Sequence, residues 1–325
     1  MALQGDVTSD LMKTPDILGT AVSLDQKGSP ALLVFVDRDG SSVADVVRAL
    51  PAEMRGVAVK VELTDKFRAF GKRPGGVSHK SFQSPPIRLG TSGGWRYDLA
   101  NGYCCGGTLG SLIQVNGIQY VLSNYHVFES DIVPGANGII ANPGDNAIQP
   151  GLIDVGCNAN NSQNVANLVK VSSLPNSNVD VGVAQALPGM VRSDGAILEI
   201  GTLSSQTISA FLNEAVKKSG RTTGLTRSKI SGLNATVSVT YDNECAGGTA
   251  FTKTFTGQIV IANSGSSFLN SGDSGSLLVE DVITAPRAVG LLYAGSSTSA
   301  IANPINEVLQ FLSTKLGGTA TMVGN

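Results

Sequence analysis

The chain has 325 residues, a formal net charge of −2 and only 15% charged residues. A balance this close to neutral excludes a general nucleic-acid role, because neutralising phosphate is what carries non-specific affinity. No apolar run is long enough to cross a bilayer as a helix.

In chain order, the first segment, Met1-Ala2-Leu3-Gln4-Gly5-Asp6, lacks the basic region and apolar core of a secretory leader. The expectation is therefore a cytoplasmic protein without a membrane partner, whose Cys104, Cys105, Cys157 and Cys245 are reduced thiols. Adjacent Cys104 and Cys105 cannot easily pair with each other; in an oxidising setting either could reach Cys157 or Cys245. Residues 17–24 and 31–36 read as strands, and Val43, Val46, Val47 and Leu50 then recur on one helical face that ends before Pro51. A third strand follows over 57–63. These elements make a small α/β unit over 1–75, serving as a substrate-gating or assembly module or as a packing extension of the larger C-terminal part of the chain, with a removable pro-segment as a third, less favoured reading. A Gly/Pro/Ser-rich linker occupies 76–94, with His79 read as a solvated loop residue.

From residue 95 the texture changes to short Val/Ile/Thr/Ser-rich runs separated by turn signals, the pattern of an all-β sandwich or barrel. The runs fall at 110–115, 119–123, 165–171, 181–186, 236–241, 254–261, 276–279 and 288–293. One helix closes the chain, with Asn303 as N-cap, Pro304 in the first turn and Ile305, Val308, Leu309 and Leu312 on one face. Lys217, Lys218, Arg221, Arg227 and Lys229 form a basic cluster with no interleaved aromatics for base stacking, so a solvated hairpin face is expected and no nucleic-acid partner. The cysteines and the two histidines offer no metal-ligand spacing, and no cofactor is expected.

The chemistry concentrates in Gly272-Asp273-Ser274-Gly275-Ser276 and in Asn124-Tyr125-His126-Val127. A serine hydroxyl is a poor nucleophile at neutral pH unless a neighbouring base takes its proton. Only His79 and His126 carry an imidazole. Between His126 and Ser274, Asp180 opens a small apolar strand, whereas Asp145 and Asp154 sit in turn-like surroundings suited to structural roles. The order His126, Asp180, Ser274 excludes an α/β-hydrolase, which needs serine, acid, histidine and a final elbow glycine where this chain has Ser276. It fits the order of the chymotrypsin arrangement.

The histidine context, the hairpin Gly107-Thr108-Leu109-Gly110-Ser111 before it, and Val289-Gly290-Leu291-Leu292-Tyr293-Ala294-Gly295 after the serine resemble the trypsin/chymotrypsin-like serine peptidases. Lys218-Ser219-Gly220-Arg221-Thr222-Thr223-Gly224-Leu225 and Ala302-Asn303-Pro304-Ile305 are similar, more narrowly, to the NARROW LEAF 1 type of plant protease and its bacterial relatives. The resemblance implies a mainly β fold, a chymotrypsin-like double β-barrel with a C-terminal helix, preceded by the small α/β domain. The first barrel would span 95–190 and the second 191–325, with the catalytic cleft between them.

The function it implies is a serine endopeptidase in which Ser274 attacks, His126 acts as general base and Asp180 orients the imidazole. Gly272 and Ser274 would supply the oxyanion N–H donors, each typically worth about 3–4 kcal/mol of barrier. By the same resemblance Asp273 stabilises the loop, and Phe268, Tyr293, Ala294 and Gly295 form the substrate pocket, which suits small to medium apolar side chains. No Arg-Ile-Val-Gly activation sequence precedes the first barrel, so a site competent without cleavage is expected. Partners would be a protein or peptide substrate and, by family habit, further copies of the chain. The competing reading is a peptidase-fold scaffold whose triad is gated or unused.

Overall fold

A computed structural model describes residues 2–67, 79–100, 103–129, 141–241 and 251–325. The N-terminal unit consists of helix α1 (Ala2–Leu11), strands β1 (Ile17–Leu24) and β2 (Pro30–Asp37), helix α2 (Val43–Ala49), and strands β3 (Glu53–Met54) and β4 (Val57–Thr64). The βαβ step from β2 to β4 is parallel, with Leu32 beside Val59 and Val36 beside Leu63. Its helix is short because Pro51 cannot continue it. The first half of the remaining chain holds β5 (Thr91–Trp95), β6 (Leu99–Ala100), β7 (Tyr103–Cys104), β8 (Gly107–Leu109), β9 (Ser111–Val115), β10 (Ile118–Ser123), helix α3 (Tyr125–Phe128), β11 (Asn146–Gln149), β12 (Gln163–Leu168) and β13 (Gly182–Ala186). The second half holds β14 (Ala215–Gly220), β15 (Gly224–Tyr241), β16 (Phe251–Ala262), β17 (Leu277–Glu280), β18 (Ala288–Gly295), β19 (Ser299–Pro304), helix α4 (Ile305–Leu316) and β20 (Thr321–Met322).

Two large sheets result. One runs β20-β9-β10-β13-β12-β11-β5-β8 and curls back on itself, since Gly110 N–H, just after β8, donates to Leu122 O of β10. The other runs β14-β17-β18-β19-β16-β15, and β14 pairs with β15 as well, which closes these strands into a barrel. The expected mainly β, chymotrypsin-like double-barrel class with a C-terminal helix is the fold observed. The 18-residue strand β15 exceeds the expected 236–241 because its first part pairs with β14 and its second with β16.

The N-terminal unit extends the second sheet. β1 pairs antiparallel with β15, placing Gly19 opposite Val237 and Val22 opposite Leu233, and β2, β4 and β3 follow outward. Its Leu18, Ala21, Leu33 and Phe35 share one apolar cluster with Val237, Val239, Phe255, Tyr293 and Ala294. β5 (Thr91–Trp95) begins within the expected linker, where Ile87 and Leu89 are fully buried. Helix α1 was not expected; Gly5, Thr8 and Ser9 weaken its propensity, and it is held instead by Gln4, whose amide donates to Thr20 Oγ1 and Asn234 O, both at 3.1 Å.

Four expectations are corrected. His79 is buried, with Nδ1 2.7 Å from Gly90 O and Nε2 2.5 Å from a Glu199 carboxylate oxygen. Three members of the basic cluster are buried: Lys217 and Lys218 pair with Asp281 and Asp273, and Arg221 with Asp154. Only opposite charge nearby makes such burial tolerable. Cys104 and Cys157 are not thiols but form a disulfide, closing a separation of 53 residues, and Cys105 is disulfide-bonded as well. A loop of that length is worth roughly 4 kcal/mol in the chain-entropy account. Cys245 lies outside the described residues. Finally, Pro304, not Asn303, is the N-cap of α4, because the Asn303 amide is committed elsewhere: Oδ1 accepts from Asp180 N–H at 2.9 Å and Nδ2 donates to Gln258 Oε1 at 2.6 Å.

Candidate active site

The register of β10 against β13 sets Ser123 opposite Gly182. That alignment brings α3, which follows β10, beside Asp180, which precedes β13. His126 Nδ1 lies 2.7 Å from Asp180 Oδ2. An ionised carboxylate can only accept, so Nδ1 is the donor of this bond, the tautomer that in a neutral imidazole leaves the lone pair on Nε2.

Asp180 is fully buried and richly satisfied. Tyr125 N–H donates to Oδ1 at 2.8 Å and the Tyr241 hydroxyl donates to Oδ2 at 2.9 Å. Its backbone is tied as well, by Asn303 at the N–H and by Asn124 Nδ2, 2.7 Å from the carbonyl. Burial, and then the charge of Asp180, pushes the Tyr241 and Tyr293 hydroxyls well above the ordinary phenol range, so both remain neutral.

Ser274 is 2% exposed at the turn before β17. Its Oγ lies 3.4 Å from Tyr293 O, while His126 Nε2 is buried without a hydrogen-bond partner among the described residues. The two halves of the site converge on Gly107: a Cβ there would lie 2.6 Å from Val127 Cγ2 and 2.9 Å from Ser274 O.

The Gly272–Ser274 backbone is held from one side. Thr108 N–H donates to Ser274 O at 2.8 Å, and Thr108 Oγ1 donates to Gly272 O at 2.9 Å. With both carbonyls turned to Thr108, the N–H groups of Gly272 and Ser274 donate to no described residue. Gly272 has φ of 88°, where a side chain would be strained, and a Cβ would meet Arg221 Nη1 and Thr222 Oγ1 at 2.7 Å.

Asp273 braces the loop from inside the barrel. It accepts from Thr222 N–H at 2.8 Å, Asn270 N–H at 3.0 Å and Thr223 Oγ1 at 2.7 Å, and its carboxylate lies 3.4 Å from Lys218 Nζ. Both members of that ion pair are fully buried. Burial pulls the Lys218 ammonium below its ordinary range and the Asp273 charge opposes this.

The pocket residues separate. Phe268 packs with Val216, Ile230 and Leu292 in the barrel interior, and its backbone is fixed by Asn263 Oδ1 and by Thr226 Oγ1. Tyr293 and Ala294 belong to the cluster beneath β18 shared with the N-terminal unit, and Gly295 ends that strand. Phe268 therefore fills core volume and does not share the cluster of Tyr293 and Ala294.

The structure pairs His126 with Asp180, while the Ser274 hydroxyl bonds to the Tyr293 carbonyl and not to His126. It adds Thr108, Tyr241, Asn303, Lys218 and Arg221, which sequence reasoning did not place at the site. Only one of these carried a usable signal: a lysine at 218 among small residues in a strand invites a buried counter-charge.

Residues 176–303 match the family model of the Nal1 C-terminal domain. The matched segment contains Asp180 and Ser274, and over it the resemblance expected from the sequence holds. The chain matches no curated protein. Among solved structures it is similar to Thermobifida fusca Protease A, at 17% identity and a TM-score of 0.47 over 74% of this chain and 99% of that one. It is similar to a Cellulomonas bogoriensis chymotrypsin at 19% identity and a TM-score of 0.43, over 74% and 99%. A third is a glutamic acid specific serine protease described as using a histidine triad in substrate binding, at 17% identity and a TM-score of 0.46, over 73% and 100%.

Proposed function

We propose that the protein is a serine endopeptidase of the trypsin-like class. Ser274 attacks the scissile carbonyl, His126 Nε2 takes the hydroxyl proton and returns it to the leaving amine, and Asp180 holds Nδ1–H and stabilises the imidazolium. The N–H groups of Gly272 and Ser274 receive the oxyanion. The observation that carries this reading is the 2.7 Å bond from His126 Nδ1 to fully buried Asp180, with Nε2 left unpartnered among the described residues. The Lys218–Asp273 pair supports a loop set without proteolytic activation, because a buried cation of the chain itself already balances the aspartate.

A second reading has its own support. Ser274 Oγ lies 3.4 Å from the Tyr293 carbonyl and makes no hydrogen bond to His126, which suits a gated or scaffold role. A fluorophosphonate probe separates the two. The peptidase reading expects labelling of the wild type at Ser274 and none in Ser274→Ala. Absence of labelling in the wild type across pH 6 to 9 favours the scaffold.

Small to medium apolar residues remain the proposed substrate preference, with Phe268, Tyr293, Ala294 and Gly295 as the proposed pocket residues. Self-association, proposed from the resemblance, is tested by light scattering. The Cys104–Cys157 disulfide weighs toward folding in an oxidising compartment and against the cytoplasmic expectation.

A further inference from the structure

We infer that Arg221 and Asp154 form a positioning pair for the oxyanion loop, and that the Cys104–Cys157 disulfide anchors the pair so that the loop responds to thiol reductants; this rests on the hydrolase reading above. Arg221 is 3% exposed and its guanidinium grips Asp154 by a fork, with Nε 2.7 Å from Oδ2 and Nη2 2.5 Å from Oδ1. Such bidentate pairs fix orientation as well as distance. The remaining arm, Nη1, donates to Thr222 Oγ1 at 3.0 Å and lies 2.7 Å from the place a Gly272 Cβ would occupy. Arg221 N–H donates to Thr108 Oγ1 at 3.0 Å, the same hydroxyl that holds Gly272 O. The guanidinium thus fills the volume on one side of the oxyanion glycine, and the Arg221 backbone helps set the clamp on the other.

Asp154 depends on the disulfide in turn. It ends the short 3-10 turn Leu152–Asp154, and its Oδ2 also accepts from Ser92 Oγ at 2.6 Å. The turn is closed by Cys157 N–H donating to Leu152 O at 3.0 Å, and Cys157 is joined to Cys104. The disulfide packs with Ile148 and with Leu152 of the turn itself, so the cross-link is built into the small cluster that seats the turn. A dithiol reductant would transfer two electrons and two protons: the S–S bond breaks, each sulfur becomes a thiol, and the reductant closes to its own disulfide. The turn, Asp154 and Arg221 would then loosen together.

The test uses the full chain and p-nitrophenyl butyrate as probe ester. Asp154→Asn should lower kcat by about tenfold or more with KM little changed, the signature of lost transition-state contacts. Arg221→Lys, which keeps the charge but not the fork, should behave alike. Cys105 is disulfide-bonded as well, so dithiothreitol is compared on the wild type, where it should impose the same loss, and on Cys104→Ser/Cys157→Ser, which should already be impaired and lose little more. In a Ser274→Ala background, amide hydrogen exchange over 270–276 should speed on reduction or with Asp154→Asn, while α4 stays protected. Unchanged kcat in Asp154→Asn, full activity in Arg221→Lys, or exchange that rises equally throughout the chain overturns the inference. An oxidised wild type inert toward the ester defeats the hydrolase reading instead, and the exchange experiment still decides the pair.

Discussion

Glu129, three residues beyond His126, is the one carboxylate among the described residues that burial moves into the neutral range. It is 2% exposed, and burial raises its pKa to about 7 against the opposing N–H bonds from Ser172 and Val171. The folded state therefore holds this proton more tightly than the unfolded chain. Stability from Glu129 is fully present below the ordinary value of 4.5 and is lost as pH rises toward 7. The span corresponds to roughly 2–4 kcal/mol. Glu129→Gln should flatten the decline, read as denaturation midpoints at pH 5 and pH 8; an unchanged decline would mean that another group carries it. Lys218 and Asp273 make the complementary case. Lys218→Met strands a buried carboxylate and should destabilise by roughly 3–5 kcal/mol. Asp273→Asn added to it should cost far less than the sum of the two single changes. At this scale the sequence disclosed what chemistry makes scarce: with only two histidines, one serine loop and a fixed order, His126, Asp180 and Ser274 could be named as candidates, and the His126–Asp180 bond is present. Thr108, Tyr241 and Arg221 could not, because each reaches the site through a bond whose partners are far apart in the chain and leave no local pattern.

Among elements, the strands were legible wherever apolar runs were bounded by turn residues, as in β10, β13 and β18. What stayed hidden were choices made by tertiary contact. Helix α1 lacks an apolar face strong enough to announce itself, and its place is set by Gln4 reaching Asn234, 230 positions away. The start of α4 is the sharper case, because Asn303 has the right side chain at the right position for a cap and does something else. Its amide joins Asp180 of the first barrel to Gln258 of β16, linking the two halves behind the His126–Asp180 pair. Asn303→Ala should thus cost more than a lost cap. Orphaning the buried Asp180 N–H and Gln258 amide is worth on the order of 1–3 kcal/mol each, against about 1 kcal/mol for a cap. Far-UV circular dichroism should show α4 retained while chemical unfolding shows the larger loss; a loss near 1 kcal/mol with frayed helix would restore the capping role.

For the whole molecule, the decisive feature is that the N-terminal unit has no core of its own on the face toward β15. Leu33 and Phe35 lie in the same cluster as Phe255, Tyr293 and Ala294, so the strand whose carbonyl faces Ser274 rests partly on residues of the first forty. The first barrel is coupled in as well, since Trp95, Leu109 and Val183 share a cluster with Leu291, Val308 and Leu312 of the second sheet and α4. Two continuous clusters spanning the chain predict one cooperative unit despite the change in sequence texture near residue 95. Phe35 is fully buried, and Phe35→Ala should cost about 3–5 kcal/mol. Trp95 is the chain's one tryptophan and lies in the first barrel, so its fluorescence reports a region that Phe35 does not share a cluster with. In the variant, the Trp95 transition and the far-UV transition should fall together to a lower denaturant midpoint. If Trp95 kept its wild-type midpoint while the far-UV signal moved, the N-terminal unit would be a separately folding module, and its effect on the serine loop would have to come through docking instead of a shared core.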